Sequence, residues 1–133
     1  MLIIIIKTFF VILKSSESYA PEDDGIDKSW NLPSTWPYAG TIQFENVSLR
    51  YKRGDNLALK NIKIAIPAGT KTIVVGRTGA GKSSLITAII RLVKLERGRI
   101  FIDGYDISTI PSFMLRSKIS VIPQDPTLLR GMD

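Results

Sequence analysis

The sequence predicts an α/β fold, an incomplete core of parallel strands beside an antiparallel β subdomain. Three observations carry that expectation. Gly76-Arg77-Thr78-Gly79-Ala80-Gly81-Lys82-Ser83 satisfies the spacing G-x-x-x-x-G-K-[ST] in full, with the apolar, β-branched run Thr72-Ile73-Val74-Val75 ahead of it and a helix-period segment behind it. Upstream, Ile42, Phe44, Val47, Leu49 and Tyr51, and then Ile62, Ile64 and Ile66, alternate as half-buried strands do. Downstream, Arg99-Ile100-Phe101-Ile102 is a short strand stopped by the turn dipeptide Asp103-Gly104.

Composition bounds what such a chain can do. Its 133 residues, 44% hydrophobic and 23% charged, suit one small globular domain. The chain has no cysteine, which rules out disulfides and thiolate metal sites, and no histidine, which rules out Ser-His triads and His-ligated metals. The net charge is +6, but Lys and Arg are scattered rather than gathered in a stripe, so nucleic acid is not an expected partner. A basic surface fits a phosphate ligand, or the anionic cytoplasmic face of a membrane.

In chain order, residues 1–14 are apolar but interrupted at Lys7-Thr8, and no run approaches the roughly 20 residues that span a bilayer. They read as an aberrant start joined to a later domain. The alternative is a signal peptide cleaved near Ser18-Tyr19-Ala20, weakened because no basic residue precedes the apolar run. Residues 15–39, with Pro21, Pro33, Pro37 and the cluster Glu22-Asp23-Asp24, read as an extended linker pinned to the domain by Trp30 and Trp36. The domain is expected over 40–133.

Glu45-Asn46 breaks the alternation of the first domain strand and predicts a bulge. Residues 52–56 form a turn, so the two alternating strands pair as an antiparallel hairpin, and Pro67-Ala68-Gly69 closes the second. The continuous strand before Gly76 reads as parallel sheet. Leu85, Ile86, Ile89, Ile90 and Val93 fall at helical spacing, with Gly98 placed to end that helix. Pro111 suits the first turn of a short helix, and Ile119-Ser120-Val121-Ile122 reads as a last strand before Pro123.

The loop carries the chemistry. Gly79 and Gly81 permit backbone angles that converge N–H groups on phosphate oxygens, and the following helix turns its positive end toward them. Lys82 bridges β- and γ-phosphates, and the Ser83 hydroxyl completes a Mg²⁺ shell. Hydrolysis also needs an acidic residue after a second buried strand and a group that positions water. Asp103 is the candidate for the first, although Gly104 beside it favours a hairpin turn; Gln124 is a candidate for the second, or else a solvated loop amide.

Beyond the loop, residues 36–131 resemble the N-terminal part of the nucleotide-binding domain of an ATP-binding-cassette transporter, and within it the second such domain of the C subfamily, the multidrug-resistance-associated type. Trp36-Pro37, Ile42-Gln43-Phe44-Glu45-Asn46-Val47-Ser48-Leu49-Arg50-Tyr51, Val75 through Leu85, Gly98 through Gly104, and Ile122-Pro123-Gln124-Asp125-Pro126-Thr127-Leu128 carry the similarity in order and spacing. The fold it implies is a partial P-loop NTPase, RecA-like core with an antiparallel β subdomain. On the residues alone Tyr51 reads as a core aromatic; the resemblance makes it the aromatic that stacks on adenine, and makes Gln124 the glutamine that contacts Mg²⁺ and the attacking water. It implies ATP and Mg²⁺ as cofactors, with Gly76, Thr78, Gly79, Ala80, Gly81, Lys82, Ser83 and Ser84 in the phosphate site. A second nucleotide-binding domain and transmembrane domains are the implied partners, at the cytoplasmic face of a membrane.

The family's Walker B strand, signature motif and switch histidine would all follow Gln124, and the chain stops at Asp133. The expectation is therefore a fragment or splice product that supplies the P-loop side of an ATP site and does not turn ATP over unaided. Its rival is a non-catalytic fragment that pairs with other cassette domains through an open sheet edge. A small kinase or GTPase is disfavoured, since no N-K-x-D motif is present.

Overall fold

A computed structural model describes residues 4–7, 31–77 and 81–121. In chain order the elements are β1 (Ile4–Lys7), β2 (Ile42–Leu49), β3 (Leu59–Ile66), β4 (Lys71–Val74), α1 (Lys82–Ile89), β5 (Arg97–Ile102), β6 (Tyr105–Asp106), a 3₁₀ turn (Ile107–Thr109) and α2 (Ser112–Ser117). The strands form a four-stranded antiparallel sheet in the order β3-β2-β5-β6 and a separate pair, β1 with β4. No helix among the described residues is long and apolar enough to cross a membrane.

The alternating strands behave as their pattern predicts. Ile42 and Phe44 face the core opposite Ile66 and Ile64, and after the bulge Val47 pairs with Ile62. Asn46 takes a positive φ of 50° at that bulge, which is tolerable for Asn. The same irregularity is felt by β5, whose register jumps from Glu45↔Arg99 to Ser48↔Arg97. Gly98 sits in the jump with φ 85°, and a Cβ there would lie 2.4 Å from the carbonyl oxygens of both Glu45 and Asn46. Gly98 is thus the glycine that lets β5 close on a bulge, not the end of a helix.

Helix α1 stops earlier, through backbone chemistry of its own. Arg91 enters the left-handed region (φ 53°), its N–H bonding Ala88 O at 3.2 Å and that of Leu92 bonding Thr87 O at 3.1 Å. This double closure ends a helix with no glycine, at the cost of placing a side chain at positive φ. Arg116 of α2 then donates to the freed carbonyls of Ile90 (3.0 Å) and Arg91 (2.9 Å). The Arg91 guanidinium in turn donates to Ile107 O at 3.0 Å and to Ile110 O. Two arginines therefore tie α1, the 3₁₀ turn and α2 into one unit.

The core gathers Phe44, Val47 and Leu49 of β2, Ile100 and Ile102 of β5, Leu85, Ala88 and Ile89 of α1, and Ile107, Ile110 and Leu115 beyond the sheet. Trp36, only 2% exposed, is part of it and donates its indole N–H to Ile102 O at 3.0 Å. The last residues of the expected linker are accordingly packed against the domain, as the pinning role of Trp36 predicts; Trp30 lies outside the described residues.

Two strand expectations are corrected. Among the described residues β4 is in no parallel sheet: its partner is β1, antiparallel, from Ile4↔Val74 to Lys7↔Lys71. A parallel partner needs a crossover connection, and no described strand returns beside β4 in that sense. Residues 119–121 form no strand. Residue 122 lies outside the described residues.

Candidate functional site

The turn Asp103-Gly104 forms as its dipeptide predicts, with φ 50° and 80° and Ile102 paired to Tyr105 across it. Its side chain does more than turn the chain. One carboxylate oxygen of Asp103 accepts the N–H groups of Tyr38 (2.8 Å), Ala39 (2.9 Å) and Gly40 (3.0 Å), while the other accepts the N–H (2.8 Å) and hydroxyl (3.0 Å) of Thr41. Burial alone would raise the Asp103 carboxyl; the converging backbone donors outweigh it and hold the group below the ordinary aspartate range. Asp103 is therefore an anchor for the segment that leads into β2.

β2 carries the chain from that anchor to Tyr51. The loop after β2 is closed by the N–H of Ala58 on Leu49 O at 2.8 Å. Arg50 braces it, donating to both carboxylate oxygens of Glu96 at 2.7 and 3.3 Å and to Asp55 O. The pair favours both charged forms, raising the Arg50 pKa and lowering that of Glu96 mainly through their hydrogen bond. Both groups are solvent-exposed, so the bond orients the loop more than it stabilises the fold. Neither residue was legible as a site element, since their partnership spans 46 residues without a local signature.

On the other side, β4 delivers the chain to Gly76, and α1 begins just after Gly81. Gly81 has φ 88°, and a Cβ on it would lie 2.6 Å from Ala58 O. The position is therefore closed to other residues, and the close approach seats the start of α1 against the loop that carries Tyr51. No side chain caps the first turn of α1 and no acidic residue occupies it. Its backbone N–H groups are thus free to meet an anion.

Four predicted residues, Lys82, Ser83, Ser84 and Tyr51, converge there. Lys82, 7% exposed, donates from Nζ to Arg77 O at 2.9 Å and to Gly76 O. Ser84, also buried, shares a 2.9 Å hydrogen bond with the hydroxyl of Tyr51, whose ring remains 48% exposed. Ser83 is exposed on the same turn, and its hydroxyl has no partner among the described residues. The site therefore offers an ammonium, a free hydroxyl, helix N–H groups and an exposed aromatic face in one place. Thr78, Gly79, Ala80 and Gln124 lie outside the described residues.

Comparison with known proteins shows the family. Residues 59–133 match the family described as ABC transporter. The chain is 54% identical over 100 residues to the ABC-type transporter cicA of Emericella nidulans and 44% identical over 104 residues to ATP-binding cassette sub-family C member 3 of Rattus norvegicus, covering 75% and 78% of this chain. It spans 7% of the length of either relative. Among solved structures, a bacterial Atm1-family ABC exporter with ATP bound matches with a TM-score of 0.57 and 32% identity, over 65% of this chain and 15% of that one. With more than half its residues matched and a phosphate loop in the expected strand-loop-helix setting, the chain belongs to the ABC transporter family, among relatives of the C-subfamily, multidrug-resistance-associated type.

Proposed function

We propose that the chain binds ATP with Mg²⁺ through the loop Gly76–Ser83, as the P-loop side of a nucleotide site. The observation that carries this reading is the meeting of Lys82, Ser83, Ser84 and Tyr51 at the first turn of α1. The exposed ring of Tyr51 takes the adenine face by stacking. Lys82 leaves the carbonyls of Gly76 and Arg77 for the β- and γ-phosphates, exchanging neutral acceptors for charged ones. Thr78, Gly79, Ala80 and Gly81 present backbone N–H groups to the phosphates.

The residues fit Mg²⁺ in the manner usual for that ion. Among the described residues no three His, Cys, Asp or Glu side chains cluster. Ser83 instead offers one hydroxyl beside the phosphate site, and Gln124 is the proposed second ligand and water-positioning residue. Mg²⁺ supplies charge neutralisation on the phosphates. In a complete transporter, a second nucleotide-binding domain and transmembrane domains complete the site and couple hydrolysis to export at the cytoplasmic face.

Hydrogen exchange with and without ATP–Mg²⁺ tests the reading. Slower exchange at Gly76–Ser84 that Lys82→Ala abolishes is the expected result, with affinity reduced about 10- to 100-fold for one lost charge-assisted contact. Unchanged exchange refutes nucleotide binding. Turnover of ATP by the isolated chain, abolished by Lys82→Ala, would refute the half-site assignment. The second reading, pairing with other cassette domains, draws on the apolar exposure of β4 and its continuation, where Ile73 is 60% and Val75 is 72% exposed.

A further inference from the structure

The loop that carries Tyr51 is held through its backbone. Ala58 closes it on Leu49 O, Arg50 braces it against Glu96 and Asp55 O, and Gly81 packs against Ala58 O. None of these contacts involves the Tyr51 side chain, whose ring must still be fixed before a base can stack on it. The hydrogen bond that this side chain makes is to Ser84: the two hydroxyls lie 2.9 Å apart, across 33 residues of chain. We propose that Ser84 is the positioning residue of the base site, setting the Tyr51 ring in place for stacking through this bond. The proposal rests on the nucleotide reading above.

Ser84 offers a firm anchor. It lies in the first turn of α1 and is only 5% exposed, and Leu85, Ala88 and Ile89 of the same helix are buried in the core. A serine has a single staggered χ angle before its hydroxyl, so the arm reaching Tyr51 is short and stiff. A buried hydroxyl needs a partner, and such a bond would equally serve packing alone. Tyr51 itself argues for more than packing. An aromatic recruited to the core is covered, whereas this one is tied at its hydroxyl and remains half-exposed.

The same bond joins the two ends of the site. A serine hydroxyl has one proton and two lone pairs, so when Tyr51 donates, Ser84 keeps its own proton for a phosphate oxygen. A ring held before the base arrives also spares the ligand the cost of ordering it, and that free energy stays in the affinity.

Tyr51→Phe is the informative variant, because it keeps the ring and removes only the hydroxyl. Binding of ATP and of inorganic triphosphate to the full chain, both with Mg²⁺, is measured by titration calorimetry. Triphosphate has no base, so the ratio of the two affinities isolates the base site. Tyr51→Phe is expected to lower that ratio about three- to tenfold, and to do so again in a Ser84→Thr background, which retains a hydroxyl. In a Ser84→Ala background it is expected to lower the ratio no further. An unchanged ratio, or an equal fall in the Ser84→Ala background, overturns the proposal. Wild-type protein that binds neither ligand overturns the nucleotide reading itself. The bond also has a signature that needs no nucleotide: the ¹³Cζ resonance of Tyr51, identified by its loss in Tyr51→Phe, is expected to shift in Ser84→Ala and to hold its place in Ser84→Thr. No shift in Ser84→Ala overturns the positioning role even where ATP binds.

Discussion

Replacing Asp103 by Ala removes the acceptor for four backbone N–H groups and one hydroxyl at once. The N–H of Gly40 is buried, and orphaning such a donor costs about 1–3 kcal/mol. The N–H groups of Tyr38, Ala39 and Thr41 and the Thr41 hydroxyl are partly exposed and regain water, each losing about 0.5 kcal/mol. The expected loss is therefore about 3–5 kcal/mol, with Asp103→Asn intermediate because one acceptor oxygen survives. Urea unfolding in a Trp30→Phe background reads it through Trp36, whose indole is buried on Ile102 O of the same hairpin. The pH dependence gives a second handle. Because the folded carboxyl titrates below its unfolded value of about 3.9, its contribution is complete above that value and lost as pH falls through the folded one. The gap between wild type and Asp103→Ala should thus be widest near neutrality and narrow progressively below about pH 5. A loss under about 1 kcal/mol, or a gap independent of pH, would refute the anchoring role.

Other outcomes follow from single contacts. Gly98→Ala must push its Cβ into two backbone carbonyls and is expected to cost at least about 3 kcal/mol, whereas Gly104→Ala, also at positive φ but with open space around it, should cost only about 1–2 kcal/mol; paired thermal melts separate clash from strain. Arg116→Met removes two charge-assisted bonds to the end of α1 and should cost about 1.5–3 kcal/mol in urea unfolding, with faster amide exchange in the last turn of that helix. Glu96→Gln, at an exposed pair, should leave the unfolding midpoint nearly unchanged while loosening the loop that holds Tyr51, seen as faster exchange of residues 50–57.

What could be read from the sequence was what is local. The hairpin at Asp103-Gly104, the bulge at Glu45-Asn46 and the helix after Lys82 each rest on chemistry within a few residues, and each forms as expected. Gly98 shows the limit: a glycine at positive φ serves a helix end and a strand facing a bulge equally well, and only the carbonyls of β2, about fifty residues away in sequence, decide between them. The five-donor role of Asp103 is invisible for the same reason, its partners lying 62 to 65 residues upstream. A ligand-binding role for Tyr51 is expected only through the family resemblance, since alternation alone places Tyr51 in a core, whereas the structure leaves its ring half-exposed and bonds its hydroxyl to Ser84. The direction of β4 failed differently, because strand composition reports burial and pairing sense depends on which neighbour arrives.

The sheet order β3-β2-β5-β6 also sets a timetable for folding. β2 and β3 are neighbours in sequence and can zip together as soon as both have left the ribosome, but the other edge of β2 waits for β5. Everything between, residues 67–96, which includes the phosphate loop and α1, is a detour whose two ends are brought together only when β5 docks. Because the entropy of closing such a detour grows only logarithmically with its length, insertions within it tax the assembly of the sheet lightly. The nucleotide-facing part of the chain is in this sense free to vary in length without costing the scaffold that presents it, and its growth is limited by the site's chemistry rather than by folding.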